Sequence, residues 1–372
     1  MILKKGTPAE FAQRVQMTGK KIIVYGAGMI GQVAAPYWLH EYRLDDVVLC
    51  YVDADSHKQG QVIQIGSRAV PIRPLSVLDD EHEQYILLVT VSAFEPVVEA
   101  LEQIPGTRDA EVYFLPVMLL DIAHAPKKVG VVKTSGQQLI PKKIHYCWFS
   151  GNPIPDKLQQ CMDSWKRFCP DYEIIRWDES NFDVNRYVYT KQAYEHKKWG
   201  FIPDIARLEI LCRHGGIYLD TDVELTRNLD ELLYQPAFCS TEKWGTANFG
   251  GGSGAQAGNP VIKAILDNRK NIPFCREDGM LNLTTCGFYE TRPLIERGMQ
   301  VDGESQLIAD GMMAIYASEF FQPFDYISGE THITENTFSI HHFSGTWLGS
   351  GAAEERRKTQ EHYQSFIAKL QV

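Results

Sequence analysis

The sequence has no C-x-x-C pair, no basic tract and no apolar run long enough to span a bilayer. Its eight cysteines stand apart, at positions 50, 147, 161, 169, 212, 239, 275 and 286. Several lie inside apolar runs, which fits reduced, buried thiols and argues against a disulfide framework or a zinc site. The 37 basic residues are outnumbered by 47 acidic ones, for a formal charge of −10. A nucleic-acid partner held through its phosphates is therefore not expected. Apolar stretches such as 85–94 and 112–120 are far shorter than the ~20 residues a membrane helix needs. The start, Met1-Ile-Leu-Lys-Lys-Gly-Thr-Pro8, lacks the apolar centre of a signal peptide, so a cytoplasmic location is expected.

What is present is an ordinary globular composition, 44% hydrophobic and 23% charged over 372 residues, a length that suits about two domains. The first unit begins with an apolar strand at 22–25 that runs into Gly26-x-Gly28-x-x-Gly31. A helix-compatible stretch follows, and then a strand over 47–52 that ends at Asp53. Strand, glycine turn, helix and acid together are the context of a dinucleotide fingerprint. Gly26, Gly28, Gly31 and Asp53 are thus a candidate nucleotide site, with Asp53 placed for a ribose hydroxyl. The other reading is that the glycines only permit tight strand-to-helix packing. Strands at 85–91 and 111–114, with a helix near 96–103, continue a parallel α/β design. We assign residues 1–125 to this Rossmann-like domain, 126–139 to a polar linker, and 140–372 to a second domain.

In the second domain Ile144–Phe149 reads as a strand, Leu158, Cys161, Met162 and Trp165 mark an amphipathic helix, and Tyr172–Trp177 is the next strand. The most informative stretch is Phe201–Glu224. Pro203 suits a first helical turn, and Gly215-Gly216 stops the helix. Asp204 and Arg207 stand three apart and share one helix face. Ile217–Leu219 then reads as a strand running into Asp220-Thr-Asp222. Side chains two apart on an extended segment point the same way, so both carboxylates are expected to converge on a hard cation such as Mg²⁺ or Mn²⁺.

The pattern F-x-x-D-x-A-R-x-x-x-L-x-x-x-G-G-I-Y-L-D-T-D-V over 201–223 resembles the D-x-D sugar transferases. It is most similar to glycosyltransferase family 32, whose bacterial members build capsule and surface polysaccharides, and to the catalytic domain of the clostridial glucosylating toxins. The resemblance implies an A-type glycosyltransferase domain, a nucleotide-diphospho-sugar donor (a UDP-sugar first, a GDP-sugar second) and a glycan or lipid-linked oligosaccharide acceptor. It also implies Mn²⁺ or Mg²⁺ and retention of anomeric configuration. By the same match I-P-K-x-I-H-x-x-W at 140–148 opens the nucleotide-sugar site, with Cys147 lining it and Trp148 stacking on the base. Tyr218, Asn181 and Asn248 join as further donor contacts. Asp204 would bind sugar hydroxyls, and Arg207 would contact sugar or phosphate as a fixed cation.

The resemblance also implies a metal-bound histidine in His341-His342-Phe343-Ser344-Gly345. His342 fits the family spacing, with His341 facing away and Trp347 over the leaving group. Segment 248–254 is expected to be a flexible loop beside the site. Leu281–Gly287 resembles a family segment near donor and acceptor, although Cys286-Gly287 replaces the usual Gly-Pro or Cys-Pro. Tyr187-Val-Tyr-Thr-Lys191 matches Y-x-x-x-K of short-chain dehydrogenases, but lies far from the glycine turn and is a chance match. The tail from 354 has Tyr363, Phe366, Ile367 and Leu370 at helical spacing, and is expected to dock on its own domain, with at most peripheral membrane contact. The alternative function is an NAD-dependent sugar-nucleotide oxidoreductase or epimerase centred on Gly26–Asp53.

Overall fold

A computed structural model describes residues 1–80, 84–125, 127, 130–345 and 352–371. The chain divides into two compact units, Met1–Ala125 together with Arg356–Val372, and Pro126–Glu355. Both are mixed α/β.

The strands of the first unit are β1 (Ile2–Lys4), β2 (Lys21–Tyr25), β3 (Val48–Val52), β4 (Val62–Ile65), β5 (Arg68–Arg73), β6 (Tyr85–Val89) and β7 (Glu111–Phe114). They form one sheet in the order β1-β7-β6-β2-β3-β5-β4. Every pairing is parallel except the β4–β5 hairpin. The central strands β2 and β6 are almost wholly apolar and buried, as expected of a sheet covered on both faces. The C-terminal segment packs in this unit. Phe366 is fully buried and stacks on Phe94 with ring centroids 4.8 Å apart, so the tail belongs with the first unit and not with the segment that precedes it.

The second unit contributes β8 (Lys143–Cys147), β9 (Glu173–Trp177), β10 (Gly216–Tyr218), β11 (Val223–Leu225), β12 (Ala237–Thr241), β13 (Ala247–Asn248), β14 (Ser253–Ala255), β15 (Gln306–Ile308), β16 (Met313–Tyr316) and β17 (Ser339–His341). Its main sheet runs β15-β16-β12-β14-β10-β8-β9, with β13 beside β12. The neighbours β9, β8 and β10 are parallel, and β14 is antiparallel to β10. Strands β11 and β17 pair separately, antiparallel, with Val223 opposite His341. Among the described residues no helix is long and apolar enough to cross a membrane.

The helix Pro203–His214 has Pro at its start and ends at Gly215. The glycine pair has a steric reason. Gly215 and Gly216 both have positive φ, 63° and 102°, where a side chain is strained. A Cβ on Gly216 would also lie 2.8 Å from Nε2 of His145. His145 is fully buried on β8; its Nε2 lies 2.8 Å from the Gly215 carbonyl and Trp177 Nε1 donates to its Nδ1 at 3.1 Å. Burial pushes its pKa down to about 4, against the bond to Gly215. It therefore works as a neutral clamp between the helix end and the sheet.

Candidate active site

The helix Pro203–His214 carries Asp204 and Arg207 on one buried face, 8% and 2% exposed. Their pairing is short, Arg207 Nη2 to Asp204 Oδ1 at 2.6 Å. Arg207 also reaches Asp220 (3.5 Å) and Glu290 (3.3 Å), so one guanidinium joins carboxylates from three parts of the chain. Burial works against its charge, yet Glu290, Asp204 and Asp220 hold its pKa well above the usual arginine value. Asp204 is raised by burial, which the charges of Arg207 and Arg269 offset only in part. Glu290, on the helix Cys286–Ile295, is pushed by burial up to about 7, with Arg207 pulling the other way.

Asp220-Thr221-Asp222 does not continue the strand as expected. Strand β10 stops at Tyr218, and the three residues turn, with Val223 N–H donating to Asp220 O at 3.0 Å. The carboxylates still converge, because the turn and the β11–β17 pair place them together. Donor atoms of Asp220, Asp222 and His341 all lie within 4.8 Å of one another. Tyr218 donates its hydroxyl to Asp220 Oδ1 at 2.9 Å, and Ser344 N–H donates to Asp222 Oδ2 at 2.6 Å. Burial raises the pKa of Asp222, but His341 and the Ser344 amide outweigh it and hold the group well below the carboxylate range. Burial likewise lowers His341, and the charge and hydrogen bond of Asp222 overcome it to raise the imidazole.

The histidine assignment is reversed relative to the sequence reading. Adjacent strand residues face opposite sides. The register that pairs His341 with Val223 turns its Nε2 to Asp222 at 3.3 Å. His342 faces Glu224 instead, at 3.0 Å. Trp347 lies outside the described residues. Segment 248–254 is not an open flexible loop: residues 247–255 are all buried, Gly250 O accepts from Asp220 N–H at 2.8 Å, and Ser253–Ala255 is a strand. A Cβ on Gly250 would stand 2.1 Å from Asp220 Oδ2 and 2.7 Å from Arg207 Nη1, so only glycine lets the backbone come this close.

The remaining donor-side candidates are placed unevenly. Cys147 ends β8, buried close to the Tyr218 hydroxyl, and burial pushes its thiol up to about 12. Trp148 is half-buried, its indole N–H donating to Asn152 O at 2.7 Å. Asn248 is buried; it donates to Glu242 at 2.6 Å and accepts from Gly251 N–H, which fixes the turn that carries Gly250. Asn181 is not brought to the site by any bond: it is exposed, donates to Arg176 O and accepts from Asp178 N–H, closing its own loop. Glu290 and Arg269 were not foreseen. Neither belongs to a motif or a spacing that marks it, and they reach the site through the packing of their helices.

In the first unit Gly26, Gly31 and Asp53 do come together. Gly26 has φ 102°, and a Cβ there would meet Val91 Cγ2 at 2.5 Å. A Cβ on Gly31 would lie 2.2 Å from Gly26 O, whereas Gly28 faces open space. The Asp53 carboxylate accepts from Ala27 N–H (2.7 Å), Asp55 N–H (2.9 Å) and Lys58 Nζ (3.1 Å).

An imidazole and two carboxylates around one point are a donor set that could hold a divalent metal ion. The Nδ1 of His341 is buried with no hydrogen-bond partner among the described residues. Residues 155–239 match the family described as "Glycosyltransferase sugar-binding region containing DXD motif". Inositol phosphoceramide mannosyltransferase 3 of Schizosaccharomyces pombe is 35% identical over 140 residues, 36% of this chain and 38% of that protein. Mannosyl phosphorylinositol ceramide synthase CSH1 of Saccharomyces cerevisiae is 35% identical over 157 residues, 38% and 39% of the two chains. The solved PaToxG glycosyltransferase aligns with 55% of this chain and 77% of its own at 18% identity and a TM-score of 0.36. The match spans under two fifths of either curated relative, and Asp204, Arg207, Asp220 and Asp222 all lie within the residues that match the DXD-containing sugar-binding region.

Proposed function

We propose that the protein is a metal-dependent, retaining glycosyltransferase that moves a sugar from a nucleotide-diphospho-sugar to a hydroxyl acceptor. The observation that carries this is the meeting of Asp220, Asp222 and His341 within 4.8 Å, beside Arg207 and Asp204, with the three aspartates and Arg207 inside the matched residues 155–239. Those three side chains would hold Mn²⁺ or Mg²⁺. When bound, the ion supplies charge neutralisation on the diphosphate as the sugar–phosphate bond breaks. Arg207 fixes the direction of Asp204 and Asp220 through its fork of donors. Asp204, held by that fork, accepts hydrogen bonds from sugar hydroxyls. Tyr218 and the Gly250 carbonyl orient Asp220 from either side.

The names of the relatives point to mannose as the sugar and inositol phosphoceramide as the acceptor class. GDP-mannose therefore joins UDP-sugars in the donor panel, and phosphoinositol lipids join surface polysaccharide precursors in the acceptor panel. Cytoplasmic location with at most peripheral membrane contact is part of the proposal and can be checked by fractionation. The NAD-dependent alternative draws little support from Asp53, whose oxygens already serve the loop amides and Lys58. The deciding experiment follows release of UDP or GDP across the donor panel with Mn²⁺, Mg²⁺ or EDTA. Release that needs the metal is expected; no release from any donor by folded protein would overturn the reading.

A further inference from the structure

Arg269, the last residue of the helix Pro260–Arg269, is 2% exposed. Its guanidinium is sandwiched between Tyr189 and Tyr289, 3.8 Å and 4.0 Å from the two ring centroids. Such stacking holds a cation by its faces and leaves the N–H donors in the guanidinium plane unused. Nε, Nη1 and Nη2 are all buried without a hydrogen-bond partner among the described residues. A buried group with this many donors is costly unless acceptors are supplied, and the described residues supply none.

The surroundings say which acceptors are missing. Arg269 stands near Asp204, where its charge joins that of Arg207 in opposing the effect of burial on the carboxyl. Tyr189, one wall of the sandwich, lies 3.4 Å by its hydroxyl from Asp204 Oδ2. The buried cluster already sets Asp204, Asp220 and Glu290 against Arg207, with Arg269 as its second cation. Negative charge is not lacking there; neutral acceptor oxygens are. Phosphate belongs with the Asp220–Asp222–His341 corner, whereas hydroxyl oxygens suit the corner between Asp204 and Arg269.

On the transferase reading above, we infer that Arg269 is a sugar-recognition residue, whose in-plane N–H groups donate to hydroxyl oxygens of the transferred sugar next to Asp204. Tyr189 and Tyr289 act as the positioning pair that keeps the fork in one plane. Tyr289 is the half-buried wall, tied by its hydroxyl to Asn282 at 2.8 Å. The sugar would reach the guanidinium edge on that side, next to the 281–287 segment.

The test compares binding of the nucleoside diphosphate alone, by calorimetry with Mn²⁺, with donor turnover, for the wild type, Arg269→Met and Arg269→Lys. Arg269→Met should keep nucleoside diphosphate affinity within about twofold. It should lower kcat/KM for the nucleotide sugar roughly 10- to 100-fold, the range for losing hydrogen bonds from a charged donor. Arg269→Lys, which keeps the charge and loses the planar fork, should fall between. Equal loss of nucleotide affinity and turnover, or no loss of turnover, overturns the inference. If Arg269→Met does not fold, unchanged turnover in Arg269→Lys overturns it alone. A wild type that binds no nucleotide fails at the transferase reading instead, which separates the two outcomes.

Discussion

Each unit of the chain sets an aspartate against a glycine turn, and the two pairings differ in what remains unsatisfied. At Gly26–Gly31 the Asp53 carboxylate is saturated by Ala27 N–H, Asp55 N–H and Lys58. At Gly250 the approach of backbone to Asp220 is as close, yet among the described residues His341 Nδ1 and the three nitrogens of Arg269 are buried without hydrogen-bond partners, and Arg207 Nε meets Glu290 Oε1 only as an ion pair at 3.3 Å. Folding tends to satisfy buried polar groups, so charged groups left unsatisfied around one set of carboxylates are where the proposed reading places its ligand. A glycine-rich turn with an acid is thus weak as a sign of chemistry, and a buried, charged, incompletely bonded cluster is strong.

The sharpest way to break that contrast is at Asp222. Asp222→Asn keeps the shape and removes the charge that His341 and the Ser344 amide stabilise. Transfer should fall by roughly 10²–10³-fold, as expected when metal-assisted charge stabilisation worth several kcal/mol is lost. The melting midpoint should fall as well, because the carboxylate held by His341 and the Ser344 amide also stabilises the folded state, so turnover is read on the folded fraction. Turnover within a few-fold of wild type would mean that these acids hold no cation. Gly250→Ala comes next. Its Cβ would overlap Asp220 Oδ2 and displace the carboxylate by about an ångström, a misplacement that typically costs on the order of 10²-fold. Steady-state rates and circular dichroism together would show lost activity in a folded protein; full activity would mean that Asp220 need not sit where it does.

Much of this was readable in the sequence, and what was not has a common cause. The helix Pro203–His214, its glycine stop and the Asp204–Arg207 pair follow from local rules of spacing and capping, and the structure contains them. The convergence of Asp220 and Asp222 was expected, but through an extended strand where the chain in fact makes a turn. The choice between His341 and His342 was not local. It depends on the register of β17 against β11, strands more than a hundred residues apart in the chain, and a shift of one residue exchanges the two faces. Glu290 and Arg269 lie on helices without any motif and meet Asp204 and Arg207 only after the second unit has packed.

Glu290 gives a pH test of the same contrast. Its carboxyl is raised to about 7 in the folded protein from the ordinary 4.5, so the folded state holds the proton more tightly than the unfolded chain. That contribution to stability is complete below the ordinary carboxyl range and is lost as pH rises through about 7. Between pH 5 and 8 the wild type should lose on the order of 1–3 kcal/mol from this group, and Glu290→Gln should lack that part of the slope. Urea unfolding at the two pH values measures it. Equal slopes in the two proteins would show that Glu290 stays ionised beside Arg207 throughout.

The smallest effects are expected in the first unit, where the contrast predicts packing costs only. Gly31→Ala puts a methyl 2.2 Å from the Gly26 carbonyl and 2.9 Å from Thr90 Oγ1, two atoms already joined by a 2.7 Å hydrogen bond. Either the turn or the Thr90 bond must shift, at about 1–3 kcal/mol for an overpacked site. Gly28→Ala meets nothing within 4 Å and its φ lies outside the glycine region, so it should stay within about 0.5 kcal/mol. Thermal unfolding of both variants, read beside donor turnover of the folded fraction, separates packing from chemistry. A loss of turnover in Gly28→Ala, where no atom is displaced, would reveal a ligand seated on this turn, and the saturated Asp53 would then have to exchange its loop amides for that ligand.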